Sequence, residues 1–423
     1  MTLPGKPWVI GMVPILGALL MGIFALAIQV RHGLEWSGIN HPVGWGVYIT
    51  NFVFWIEIGH GGTLVSAVLY LARARFRNSI CRASEAMTVF AVMTAGLFPL
   101  IHMGRVWLFY WLLPYPNQRM LWVNFKSPLI WDVFAVGTYL SVSMTFFVLG
   151  LIPDLAAMGD ESKGLKRLFY RLAAFKFRGT NHEWLHYVRG YVLFAGLATG
   201  LIFSVASIVS WDFAVASVPG WHSTIFGPYF LAGAIFSGCA MLLLIVISLR
   251  WIFPDFKELI LVNDLEGVAK LVIFTSLIIT YVYLIETFMA YYSGSEFEKA
   301  IIWYRAFGDM KLIFWFMVIC NSLVPLTLFF KKIRTNIPLL FAIALLILVG
   351  MWLERFVIVV SSLAHGPVPF TWSKYQFEWA EIWITIGSFG WFLMWVFIVA
   401  KIVPFIAISE LKERLTPPLR KQK

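Results

Sequence analysis

The chain of 423 residues is 60% hydrophobic and only 13% charged, where a soluble protein carries about 25% charge. That composition excludes an ordinary soluble enzyme and points to an integral membrane protein. The net charge of +11 would suit nucleic acid, but in a membrane protein excess lysine and arginine collects in cytoplasmic loops, so no nucleic-acid partner is expected.

Apolar runs long enough to cross a bilayer, about 20 residues each, recur along the whole chain. Ten are expected. They run from Trp8 to Val30, Trp45 to Ala72, Ser84 to Tyr110, Leu129 to Ile152 and Val188 to Ser210, then from Gly227 to Trp251, Val268 to Tyr292, Leu312 to Phe330, Ile337 to Ser362 and Ala380 to Phe405. The first run is too long for a signal-peptide core and has no clear small-x-small cleavage site, so it is read as a span. An all-α fold follows.

Loop charges set the orientation. Arg73, Arg75, Arg77 and Arg82 follow the second run, and Lys163, Lys166, Arg167, Arg171, Lys176 and Arg178 fill the longest loop. Arg250 with Lys257, then Lys331, Lys332 and Arg334, and a tail with Lys412, Arg414, Arg420, Lys421 and Lys423 complete the series. These are alternate connections, as the positive-inside rule requires. Both termini are therefore expected in the cytoplasm.

Within the longest loop, His182 and His186 stand four apart. With no third ligand evident, the segment reads as an interfacial helix on the inner leaflet rather than a metal site. Cys81, Cys239 and Cys320 are isolated, with no spacing suited to an iron–sulfur cluster or covalent haem. His60 and His102 leave haem between two helices as a rival, but no helix carries two histidines spaced to hold two haems. No metal site is expected.

The ionisable residues near span ends carry the functional argument, since such groups are costly at membrane depth. From the helical rise of ~1.5 Å per residue, His102 and Arg105 come near the outer end of the third span. Asp132 opens the fourth, Asp212 follows the fifth, and Glu354-Arg355 lie ~25 Å along the ninth. His102, Arg105, Asp132, Asp212 and Arg355 are thus expected at one outer level. A quinol needs hydrogen bonds to its hydroxyls and acceptors for two protons. A neutral imidazole and a carboxylate suit that task, and an arginine can pin the carboxylate. An alternative is a set of interfacial salt bridges, Asp132 with Arg105 for example.

Deeper, Glu57 and His60 share one face of the second span, beside Gly59, Gly61 and Gly62, which permit close helix approach. Glu286 sits late in the seventh span. Glu57, His60 and Glu286 are candidates for a proton pathway, or for polar pairs that merely tie helices together. A secondary transporter is a further alternative. It calls for spans broken near mid-membrane, where Pro99 and Pro325 are the few candidates.

The stretches Ile49-Thr50-Asn51-Phe52-Val53, Gly59-His60 and Phe98-Pro99-Leu100-Ile101-His102 with Gly104-Arg105 resemble the NrfD or polysulfide-reductase membrane-subunit family. Pro114-Tyr115-Pro116-Asn117-Gln118, Phe125-Lys126-Ser127-Pro128-Leu129, Trp131-Asp132, Ile152-Pro153-Asp154-Leu155 and Trp352-Leu353-Glu354-Arg355-Phe356 are similar to its two large members in bacterial alternative complex III, ActC and ActF. The likeness implies one membrane domain over residues 1–423, built as two four-helix bundles plus two extra helices. Residues 45–152 and 188–210 would contribute to the first bundle and 227–362 to the second, with 153–187 a basic cytoplasmic loop and 406–423 a cytoplasmic tail. It further implies a quinol:electron-acceptor oxidoreductase using menaquinol or ubiquinol, with His102 and Asp132 accepting protons and Asp212 and Arg355 holding the site. The implied partners are an iron–sulfur subunit, haem c subunits and a second NrfD-like paralogue. No haem or cluster is expected in this chain itself. A paralogue that is structural or proton-conducting, without a working quinol site, is the other reading.

Overall fold

A computed structural model of the chain describes residues 5–114, 124–253, 255–368, 370 and 372–412. Positions 115–118 of the Pro114–Gln118 motif and the basic tail past 412 lie outside the described residues.

Ten helices are long and apolar enough to cross a membrane. They are α1 (Lys6–His32), α2 (Val47–Leu71), α3 (Cys81–His102), α4 (Pro128–Glu161), α6 (Asn181–Ala214), α7 (Phe226–Ile252), α8 (Val262–Tyr292), α10 (Lys311–Phe329), α11 (Ile337–Ala364) and α12 (Trp379–Ile402). Shorter helices lie between and after them, among them α5 (Leu165–Ala173), α9 (Glu296–Phe307) and α13 (Ile408–Lys412). Count and order match the apolar runs. All the regular elements of the described residues are helical, as a lipid environment demands of backbone that has no water to bond.

The helices pack in two groups. α2, α3, α4 and α6 form one, and α7, α8, α10 and α11 the other, with α2 against α7 at the seam; α1 pairs with α12 outside both. Glycine permits the seam. A Cβ on Gly61 would stand 2.3 Å from the Gly238 Cα, so any side chain there would force α2 and α7 apart. α1 and α12 meet the same way at Gly22 and Gly387, where a Cβ on the former would stand 2.6 Å from the latter's Cα. Close backbone approach supplies the packing contacts on which helix association in lipid depends.

Several boundaries differ from the apolar runs: α3 ends at His102 rather than Tyr110, and α8 starts at Val262 rather than Val268. α4 continues to Glu161 and α6 starts at Asn181, so the basic loop is shorter than 153–187. Residues past Pro153 remain helical because they pack on α5 and because Asp154 is buried against Arg82. His182 and His186 fall in the first turns of α6, since Thr180 and Glu183 form a reciprocal capping box at its start. The amphipathic helix of this loop is α5 instead. It exposes Leu165, Leu168, Phe169 and Leu172 on one face and carries Lys166, Arg167 and Arg171.

Three spans contain π turns, at Leu64–Val68 in α2, Ile319–Leu323 in α10 and Val357–Ser361 in α11. Pro325 comes after the second of these and the span ends in a 3₁₀ turn.

Candidate functional site

The structure divides the outer set of ionisable residues. Asp132, in the first turns of α4, and Asp212, in the last turn of α6, come together with their carboxyls sharing a hydrogen bond. Each keeps one buried oxygen, Oδ1, without a partner. A hydrogen bond between two carboxyls requires a proton between them, because two carboxylates at contact repel. A buried carboxyl pair of this kind can take up and release protons.

His102 ends α3 with its Nδ1 buried and unpartnered. Arg105 lies just past that end with an exposed side chain. Asp132 thus bonds Asp212 and not Arg105. Around this end Trp107, Phe109, Trp111, Phe125, Trp131 and Phe134 are exposed, an aromatic rim of the kind found where lipid meets water.

Arg355 lies deeper. It is fully buried, ~27 Å along α11, and meets Glu57, ~15 Å along α2 from its first residue, Val47. Its Nε donates to Glu57 Oε2 at 3.0 Å and its Nη2 reaches Glu57 Oε1 at 2.8 Å and Glu354 Oε1 at 3.0 Å. The guanidinium lies over the Phe230 ring at 4.2 Å and near Tyr229 at 5.1 Å. Two carboxyl groups thus share one arginine, and two further donors complete the group. Asn321 Nδ2 donates to Glu354 Oε2 at 3.0 Å, and the Tyr283 hydroxyl bonds the same oxygen.

From that centre polar groups continue both ways. Outward, a cavity of about 40 Å³ is lined by Tyr229, Tyr283, Glu286, Arg305 and Glu354, room for a water. Glu286 bonds Ser223 and faces Arg305. Arg305, on α9 outside the spans, donates to Ser361 and Ser362 at 2.8 Å each. Burial pushes its guanidinium down from the ordinary arginine range, and the Glu286 carboxylate opposes that. Inward, His60 stacks on Tyr139 with ring centres 5.0 Å apart. Neither of its nitrogens has a partner in hydrogen-bonding geometry, the Ile56 carbonyl one turn back approaching outside it. Tyr139 and Thr63 hydroxyls lie 2.7 Å apart, and Thr63 and Thr88 3.3 Å.

The basic end carries a third buried cluster. Arg82 bonds Glu85 at 2.5 Å and Asp154 at 3.1 Å, and Tyr191 donates to Glu85 at 2.5 Å. Arg77 bonds Glu410 of α13 at 2.6 Å. In the sequence Arg77 and Arg82 read as solvated loop cations. The local signal to the contrary is Glu85, one turn from Arg82 at the start of an apolar run. Arg305 and Asn321 likewise carry no local signal in the sequence, because their partners lie tens of residues away. Among the described residues no group of three His, Cys, Asp or Glu side chains could hold a metal ion.

Ten apolar helices enclosing this series of buried ionisable groups define a multi-pass integral membrane protein. More particularly, the chain belongs to the polysulphide reductase NrfD family, whose model matches residues 36–365. It is similar to a protein of Halobacterium salinarum named as a putative dimethyl sulfoxide reductase membrane subunit, 25% identical over 91% of this chain and 85% of the relative. It is also similar to a selenate reductase subunit of Mesobacillus selenatarsenatis, 22% identical over 91% of each chain. Both names are those of reductase subunits, and neither is that of an alternative complex III subunit.

Proposed function

We propose that this chain is the quinol-oxidising membrane subunit of a hetero-oligomeric oxidoreductase. The observation that carries the reading is the Asp132–Asp212 carboxyl pair, built from two spans at the same end as the unpartnered Nδ1 of His102. Menaquinol or ubiquinol would enter from the lipid past the aromatic rim, with Arg105 at its edge. As both O–H bonds break, one proton goes to His102 and one to the carboxyl pair, while the two electrons pass to an iron–sulfur partner subunit. A positioned imidazole and carboxyl each contribute about 10²–10⁴-fold to such transfers.

The names of the relatives support delivery of these electrons to a reductase. The motif likeness supports alternative complex III, with haem c subunits and a second NrfD-like paralogue. Purification separates the two, since co-purifying c-type haem absorbance would favour the latter. In either assembly Arg355 acts from below the headgroup, holding Glu57 and Glu354. The series Glu286, Glu354, Glu57 and His60 supports proton movement towards the membrane interior.

The test is quinol oxidation by the purified assembly carrying His102→Ala, Asp132→Asn or Asp212→Asn, with extracted quinone quantified in each. Activity is expected to fall at least about a hundredfold while every partner stays bound. Normal turnover in intact variants would move catalysis to another subunit and leave this one a structural or proton-conducting role.

A further inference from the structure

At the basic end a cavity of about 670 Å³ opens between the turn after α2 and the flank of α6. Its lining includes Tyr70, Arg73, Arg75, Arg77, Val188 and Val192. The two walls differ in chemistry. Val188 and Val192 are exposed apolar residues on α6, and Leu71 extends that surface. Opposite them stand three arginines within five residues.

Arg73 and Arg75 expose their side chains. Arg73 holds φ at 55°, a left-handed conformation that a residue with a Cβ seldom adopts. Arg77 is buried behind them, over the Tyr70 ring at 4.9 Å. Glu410 balances its charge, and its Nε is buried with no acceptor.

We infer that this cavity binds the phosphate headgroup of an anionic phospholipid. The phosphate would pair with Arg73 and Arg75, whose planar donors match its oxygens, and the acyl chains would lie along Leu71, Val188 and Val192. Basic pockets between spans suit such headgroups. Free phosphate shares the polar half of this chemistry; the apolar wall favours a lipid. An occupied site would join the α2 turn to α6 and, through Arg77–Glu410, would brace α13.

The assembly is reconstituted in nanodiscs of phosphatidylcholine with phosphatidylglycerol, and retained lipids are counted by native mass spectrometry. Wild type is expected to keep phosphatidylglycerol in preference to phosphatidylcholine. Arg73→Ala with Arg75→Ala, both exposed, should weaken that preference by roughly fivefold per arginine. Val188→Glu should weaken it through the other wall. Equal retention in all three proteins overturns the site. So does inorganic phosphate binding with the same arginine dependence but untouched by Val188→Glu, which would assign free phosphate. Loss of a partner from the double variant, with lipid retained, would assign the arginines to a protein contact and also overturns it.

Discussion

Arg355 has four charged or aromatic partners, Glu57, Glu354, Tyr229 and Phe230, and its removal tests how the centre is held. Arg355→Met leaves Glu57 and Glu354 buried without their cation, a loss of about 3–5 kcal/mol. The purified assembly should melt earlier or fail to accumulate. Adding Glu57→Gln removes one stranded carboxylate and should recover part of the loss in the same melting measurement. Equal stability of all three proteins would mean the trio is already solvated. The ionisable residues themselves are legible in the sequence, because a charge inside an apolar run stands out. Their partners are not. Glu57 and Arg355 are separated by 298 positions, and depth counted along a helix cannot distinguish a residue facing Asp212 from one facing Glu57. The same blindness turned Arg77 and Arg82 into loop cations, although both are buried in ion pairs.

At the scale of elements, the ten spans follow from hydropathy almost to their ends. Their irregularities do not. The three π turns fall beside the polar residues: Asn321 lies within one, Ser361 within another and Arg355 just before it, and Thr63 precedes the third. A π turn widens the helix and re-aims the side chains beyond it, and no residue pattern announces it. The seam between the two groups gives a sharper expectation. Gly61→Ala would press a methyl into the backbone of α7, an overpacking cost of about 1–3 kcal/mol or more. Gly96→Ala on α3 meets nothing within 4 Å and serves as the control. Folded assembly recovered after detergent extraction should drop for the first and hold for the second; equal recovery would show that α2 and α7 can separate freely.

For the whole molecule, the charge pattern implies that the end bearing Arg73, Arg75 and Lys163 faces the cytoplasm. The three cysteines are buried, so an introduced thiol can report the side. An impermeant maleimide on intact cells should label His222→Cys and reach Lys163→Cys only after lysis; the reverse pattern would invert the protein and put the carboxyl pair on the cytoplasmic side. The pairing of α1 with α12 bears on how such a molecule is made. Of the ten helices, α1 leaves the ribosome first and α12 last, and their Gly22–Gly387 contact can close only once α12 has been made. Throughout that interval α1 is held only near its outgoing end, where buried Gln29 bonds Tyr48 of α2 and the Ile101 carbonyl of α3, and its apolar residues, exposed on most sides, equip the rest of it to wait in lipid. A nascent chain halted before Trp379 would keep nine spans and still leave the oldest of them without its companion.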